Sequence, residues 1–275
     1  MKKIIVILFI LSFTASALAA TVGSPEISIP EESLYLKKEA VNKTLDRYGY
    51  NMDIKGTAEL DFVFKRKLTS ADDVKKAELK GQNYMLKLSS NFYDSFEPYI
   101  KLGTSDLEVT WTQNGENITV EAKPGFVWAA GIKAHVYEFK NYGIKLTMDA
   151  QYKNADLDVD TVSRAGSMNE KFEIKEYQIA LLASKKLIVP VGINDYYVVP
   201  YTGLTVSWSD VDVSFEIPPG PPYALFSTFN ASDENVFGLV LGCDIMPSLL
   251  SWYLLNLELR FINETALTLG GTVKF

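Results

Sequence analysis

Apolar side chains return at every second position along most of this chain, and that period constrains its fold more than any other feature. Tyr253, Leu255, Leu257, Leu259 and Phe261 alternate with Asn256, Glu258 and Arg260. Phe237, Leu239, Leu241, Cys243 and Ile245 oppose Gly238, Gly242 and Asp244. Ile144, Leu146 and Met148 oppose Lys145, Thr147 and Asp149, and Leu60, Phe62 and Phe64 alternate with Glu59, Asp61 and Lys65. The last segment carries Leu267, Leu269, Gly271, Val273 and Phe275 on one face. Such a period belongs to β-strands. A two-sheet sandwich would also bury an apolar face, but the charges recurring on the opposite face suit a polar lumen and not a dry core. After residue 20 no apolar run approaches the roughly 20 residues that a membrane-spanning helix needs. The expected fold is therefore all-β: a closed antiparallel transmembrane β-barrel, the strand arrangement that leaves no open backbone edge in lipid.

Ten strands fit the pattern, within a range of 8–12: 54–66, 80–91, 96–112, 125–137, 142–159, 173–185, 196–216, 235–246, 252–262 and 265–275. Short links at 91–96, 137–142 and 246–252 alternate with longer polar or Pro/Gly-rich segments at 67–79, 113–124, 160–172 and 217–234. That is the expected rhythm of periplasmic turns and long outer loops. The links near Gly192–Asn194 and at Asn263–Glu264 fit this rhythm less well. Aromatics make up 12% of the chain. They flank the short turns (Phe92, Tyr93, Phe96, Tyr99; Tyr137, Phe139, Tyr142; Trp252, Tyr253), as an interfacial girdle would. Trp111, Trp208 and Tyr152 are expected near the opposite interface.

The N-terminus has the three parts of a secretory signal: basic Lys2 and Lys3, an apolar run from Ile4 to Phe13, and the small-x-small pattern Ala17-Leu18-Ala19. The domain reading is a signal peptide at 1–19, an N-terminal periplasmic or lumen-associated segment at 20–52, and the barrel at 53–275. Ser33 to Arg47 has only loosely helical spacing. The net charge of −7 without basic runs argues against nucleic-acid binding. Cys243 is the only cysteine, so there is no disulfide framework and no cysteine-based metal site. The composition and motifs predict no cofactor.

Three strands share an acidic motif: Asp106 and Glu108, Asp156 and Asp158, Asp210 and Asp212. Before each motif the apolar residues occupy even positions, and within it odd positions, so a β-bulge is expected at the rim. The six carboxylates could form a cation-attracting vestibule or ligate a divalent cation. The favoured reading is that they keep the emerging strands soluble. A lumen network is expected from Glu59, Asp61, Lys65, Lys87, Lys133, Lys145, Asp149, Glu176, Glu258 and Arg260. His135, the sole histidine, has no sequence-evident catalytic partner.

The closing Leu267, Leu269, Val273 and terminal Phe275 resemble the C-terminal strand of bacterial outer-membrane barrels, with the small OmpA-like, OmpX-like and OmpW-like barrels as nearest analogies. The resemblance implies location in the bacterial outer membrane, contact with its lipids, and recognition by the barrel-assembly machinery through Phe275. A structural or surface-interaction barrel with a side-chain-filled lumen is expected, with a narrow porin-like channel for small solutes or cations as the alternative. No enzymatic role is expected.

Overall fold

The structure is a computed structural model that describes residues 21–30, 34, 52–70, 74–113, 115–162, 168–191, 194–217, 225–248 and 251–275. The expected signal at 1–19 and most of the segment 31–51 lie outside the described residues. The described strands are β1 (Met52–Thr69), β2 (Val74–Phe92), β3 (Phe96–Gln113), β4 (Glu116–Ala122), β5 (Gly125–Phe139), β6 (Ile144–Leu157), β7 (Val159–Val162), β8 (Met168–Lys185), β9 (Leu187–Val191), β10 (Asn194–Ile217), β11 (Leu225–Asp233), β12 (Phe237–Met246), β13 (Tyr253–Phe261) and β14 (Glu264–Lys274).

Several of these are one long strand with a local break. Between β4 and β5, Pro124 has no N–H to give the ladder, and the Lys123 N–H turns to the Asp158 carbonyl at 2.7 Å, where β6 and β7 are themselves interrupted. Antiparallel pairing closes a ring of ten strands in the order β1-β2-β3-β5-β6-β8-β10-β12-β13-β14, with β14 returning to β1. Each of the ten strands expected from the sequence corresponds to one of these. The segments expected as long loops, however, are largely strand: 74–79, 116–122, 168–172 and 225–233 all continue the wall.

The wall tapers. The β13–β14 hairpin ends at Ile262–Asn263, and beyond it β11 takes over, pairing with β10 on one side and with β1 through Leu68↔Asp233 and Thr69↔Ser232 on the other. One end of the barrel therefore has ten strands and the other eight: β1, β2, β3, β4, β6/β7, β8, β10 and β11.

The polarity of the wall inverts at the same level. On β3 the inward residues are Tyr99, Lys101, Ser105, Leu107, Val109 and Trp111, all buried, while Ile100, Leu102, Asp106 and Glu108 face outward. The phase never changes: β3 pairs with β2 without a register shift from Glu78↔Thr110 to Ser89↔Tyr99. The β-bulges expected at the acidic motifs are absent here and in the matching stretch of β10; at the motif where β6 gives way to β7 the ladder is interrupted at Asp158 and its register shifts beyond Val159, yet Ala155, Leu157 and Val159 all keep the inward phase. What changes is the surroundings. At the wide end the apolar side chains face out and the polar ones in, and at the narrow end this is reversed.

The narrow end is consequently filled by an apolar core. Leu79, Val109, Val120, Val159, Phe172, Val211 and Val213 meet there, and Trp111 stacks on Phe229 with ring centroids 4.4 Å apart and planes within 9°. Trp111, expected at an interface, is instead 2% exposed at the centre of this core, because its odd position keeps it on the inward face.

Around the wide end the outward face is a continuous apolar belt that includes Leu60, Leu86, Leu88, Ile100, Leu102, Met148, Ile179, Leu181, Leu204, Leu255 and Leu257. Aromatics border it on both sides: Tyr93, Phe96, Tyr137, Phe139, Tyr142 and Trp252 near the turns, and Phe64, Tyr84, Trp128, Tyr152, Tyr177 and Trp208 near the taper. Tyr142 and Tyr152 are ten residues apart. At a rise of roughly 3.3 Å per residue and a strand tilt of about 40°, the belt is about 25 Å tall.

Candidate functional site: the occupied lumen

The wide half of the barrel contains a segment of its own chain. Thr21 to Pro30 runs along the lumen from beneath the apolar core toward the wide mouth, and the Leu34 N–H then reaches the Lys274 carbonyl at 2.9 Å. No described strand pairs with it, so its backbone groups must be satisfied by side chains from the wall. Lys101 Nζ donates to the Thr21 carbonyl at 2.7 Å, and Gln151 Nε2 to the same oxygen at 3.2 Å. Val22 N–H and Gly23 N–H donate to the two oxygens of Glu258 at 3.1 and 2.8 Å. Gly23 has φ +65°, a left-handed conformation that costs glycine little. Lys133 Nζ donates to the Ser24 carbonyl at 2.6 Å, Thr147 Oγ1 to the Pro25 carbonyl at 3.0 Å, and Lys55 Nζ to the Ile27 carbonyl.

The segment's side chains are anchored as well. Ser24 Oγ donates to Asp244 at 2.7 Å, and Glu26 accepts from Lys145 at 2.8 Å and from Ser184 at 2.9 Å. Val22 packs against Ala180, Leu182, Tyr201 and Val240, and Ile29 against Tyr197, Val199, Met246 and Leu254. Apolar Val22, Ile27 and Ile29 stand among polar Thr21, Ser24, Glu26 and Ser28, a mixture that suits a lumen that is itself mixed.

Buried ion pairs fill the remaining space. Arg260 pairs with Asp61 at 2.7 Å and with Glu258 at 3.0 Å, and its Nε donates to Glu264. Arg66 pairs with Glu176 at 3.3 Å and forks across both oxygens of Asp233. Lys101 meets Glu59 at 2.8 Å, while Lys55 and Lys87 share Glu97 at 2.8 and 3.0 Å. Tyr99 donates to Asp149 at 2.9 Å, with its ring lying against Gly131. A Cβ at Gly131 would come within 2.5 Å of that ring, so the glycine makes room for it. Tyr201 leans on Gly242 in the same way, donates to Glu258 at 3.1 Å and accepts from Asn256 at 2.9 Å. Each of these charges is removed from water, so its partners are essential: an uncompensated buried charge costs about 3–5 kcal/mol.

Of the residues expected in the lumen, the structure brings Glu59, Asp61, Lys87, Lys133, Asp149, Glu176, Glu258 and Arg260 together inside the barrel, and Lys145 reaches in from the mouth. Lys65 is a correction. A register irregularity between Val63 and Arg66 shifts the strand by one residue, turning Arg66 inward and leaving Lys65 on the outside, paired with Glu78. Asp244, which alternation places opposite the apolar face of its strand, is buried here too, and Lys55, Glu97, Lys101, Gln151, Lys153 and Glu264 join the network by following the same inward phase as their neighbours.

The acidic motifs are a second correction. Asp106, Asp156, Asp158, Asp210 and Asp212 are exposed on the outside of the narrow end and Glu108 is partly exposed there, so none faces the lumen. Among the described residues no group of three or more His, Cys, Asp or Glu is arranged to hold a metal ion. His135 lies near the turns at the wide end, with its Nε2 3.1 Å from the Tyr137 carbonyl oxygen.

No family model and no curated protein matches this sequence. Among solved structures, the chain is similar to the translocator domain of autotransporter NalP from Neisseria meningitidis (14% identity, 86% of this chain and 93% of that one, TM-score 0.34). It is also similar to the COG4313 outer membrane channel from Pseudomonas putida F1 (9% identity, 81% and 95%, TM-score 0.33). A third is the transport unit of autotransporter AIDA-I from Escherichia coli (9% identity, 90% and 94%, TM-score 0.38). At these TM-scores the likenesses carry nothing about the role of this chain, whose closed barrel is established by its own strand pairing.

Proposed function

We propose that this chain is a bacterial outer-membrane barrel that acts as a closed structural or surface-presenting element and not as an open pore or an enzyme. The membrane reading is supported by the apolar belt, whose height of about 25 Å and paired aromatic borders match a transmembrane barrel. The wide, short-turned end would face the periplasm, and the narrow end with its acidic outer wall would project beyond the lipid. This agrees with the small, filled barrels that the C-terminal strand resembles. The terminal Phe275 would serve the assembly machinery, and its backbone N–H is tied to the Ile54 carbonyl at 3.0 Å.

The observation that carries the closed reading is the apolar core around Trp111 and Phe229. It spans the narrow end, while Thr21–Pro30 fills the wide one. Eight-stranded barrels have interiors that side chains can fill, and an aqueous channel needs a wider ring. The test is planar-bilayer recording of the purified, refolded protein. It should show no stable unitary conductance. Discrete, reproducible steps with cation or anion selectivity would overturn the proposal in favour of a narrow channel.

A further inference from the structure

We propose that the hairpin formed by β9 and the start of β10 is a lipid-docking foot: its outward face rests in the headgroup layer at the wide end, where Lys140 and Lys185 bind the phosphates of anionic phospholipids. The inference rests on the outer-membrane reading. Lys185 is the last residue of β8 with a partner on β6, Ile144, and Tyr197 is the outermost residue of β10 with one on β12, Met246. Beyond these points Leu187–Val191 and Asn194–Tyr196 have no partners among the described strands except one another and the base of their own hairpin. The wall thus sends out a two-stranded ribbon about 13 Å long, at roughly 3.3 Å per residue. A lone hairpin is marginally stable in water and needs a surface to pack on.

Its side chains call for one. Leu187, Ile188, Val189 and Pro190 are all exposed, Ile188 by 61%. Such a run of bare apolar residues marks a docking surface. Its free edge does not invite another strand: a proline on an edge strand turns its missing N–H outward, so Pro190 removes a donor from that edge of β9. The face is what remains. Leu187 and Val189 keep the outward phase of Tyr177, Ile179 and Leu181, and their ladder partners Val198 and Tyr196 share that face. The lipid-facing side of the wall therefore continues onto the ribbon. Lys185 stands at the root of the ribbon in the same phase, and Lys140 opens the adjacent turn between β5 and β6, beside exposed Tyr142. Both lysines are exposed, and neither has an ion pair among the described residues. The ribbon's own acid, Asp195, lies opposite Pro190 on the other face. The headgroup layer is about 5–7 Å thick on each side of the hydrocarbon, so phosphates at the level of the ribbon are within reach of a lysine at its root. Apolar contact below, an interfacial tyrosine and unpaired ammonium groups above match the layered chemistry of a phospholipid surface.

The experiment uses the refolded full chain with Cys243→Ser and Val189→Cys, a fluorophore on the thiol at position 189, and vesicles of phosphatidylcholine alone or in equal mixture with phosphatidylglycerol. Brominated lipid of either kind should quench the label, and aqueous iodide should reach it poorly. Brominated phosphatidylglycerol should be the stronger quencher, by about fivefold for each lysine engaged, the preference expected of a cation near an anionic surface. Lys140→Gln with Lys185→Gln should abolish that preference while the folded form still migrates differently from the boiled one. Equal quenching by the two lipids with both lysines in place would overturn the proposal. So would a label open to iodide and untouched by bromine, or one shielded from both, which would put a second copy of the chain on the ribbon. A matching label at Leu86→Cys, in the middle of the belt, separates the two readings. Quenching by bromine at position 86 and not at 189 defeats this inference alone, and quenching at neither defeats the outer-membrane reading as well.

Discussion

Replacing Trp111 with alanine tests the inverted polarity of the narrow end most directly. The indole is 2% exposed and stacked on Phe229 at 4.4 Å, so its removal forfeits both transfer energy and packing. Truncating a large buried aromatic costs about 3–5 kcal/mol, and the stacking geometry contributes about 0.5–1.5 kcal/mol of that. Phe229→Ala should cost a similar amount. The double variant should fall short of additivity by roughly the stacking energy, since either single change already removes the stack. Glu108→Ala, three residues earlier on the same strand but facing outward, should stay within about 0.5 kcal/mol of the parent. The assay is urea unfolding in lipid vesicles, followed by the shift between folded and boiled mobility on gels. If Glu108→Ala proved as costly as Trp111→Ala, the assignment of faces at the narrow end would be wrong.

Arg66→Met should destabilise the barrel by about 3–5 kcal/mol in the same assay, because it leaves Glu176 and Asp233 buried without their cation. Leu86→Arg, in the middle of the apolar belt, should cost about 2–4 kcal/mol in vesicles, whereas Glu108→Arg above the belt should cost little. Deleting Phe275 should lower the yield of assembled protein in cells, measured as the heat-resistant fraction in isolated membranes. Finally, because Asp156 and Asp158 are separately exposed outside the wall, their stability response to millimolar Ca²⁺ should match that to NaCl of equal ionic strength, with or without substitution to Asn.

The ten wall strands were legible because a two-residue period survives wherever one face of a strand is apolar and the other polar. The lumen charges were legible for the same reason, read on the other face: Glu59 and Asp61 share the phase that makes Leu60 and Phe62 apolar. The narrow end was misread because periodicity records which face is apolar, and not whether that face points in or out. At Leu107 and Val109 the reversal of surroundings looks in sequence like a one-residue slip, and only the unbroken pairing of β2 with β3 separates the two. Arg66 was hidden for the converse reason: there the register does shift, and the sequence gives no sign of it. The lumen position of Thr21–Pro30 depends on contacts with residues from Lys55 to Glu258, a separation that no local pattern encodes.

The loss of two strands partway along the wall has a geometric consequence for what the barrel can hold. At an interstrand spacing of about 4.8 Å and the usual tilt, two strands account for roughly 12 Å of circumference, or about 4 Å of diameter. That difference is on the order of the thickness of a single extended polypeptide. The wide half is therefore a socket sized for one guest chain and the narrow half is its floor. The depth of the socket is set by where the β13–β14 hairpin turns back at Ile262–Asn263. Lengthening that hairpin by a few residues would deepen the socket, and shortening it would expel the guest, so a two-residue turn on the wall acts as the ruler for an insertion on the axis.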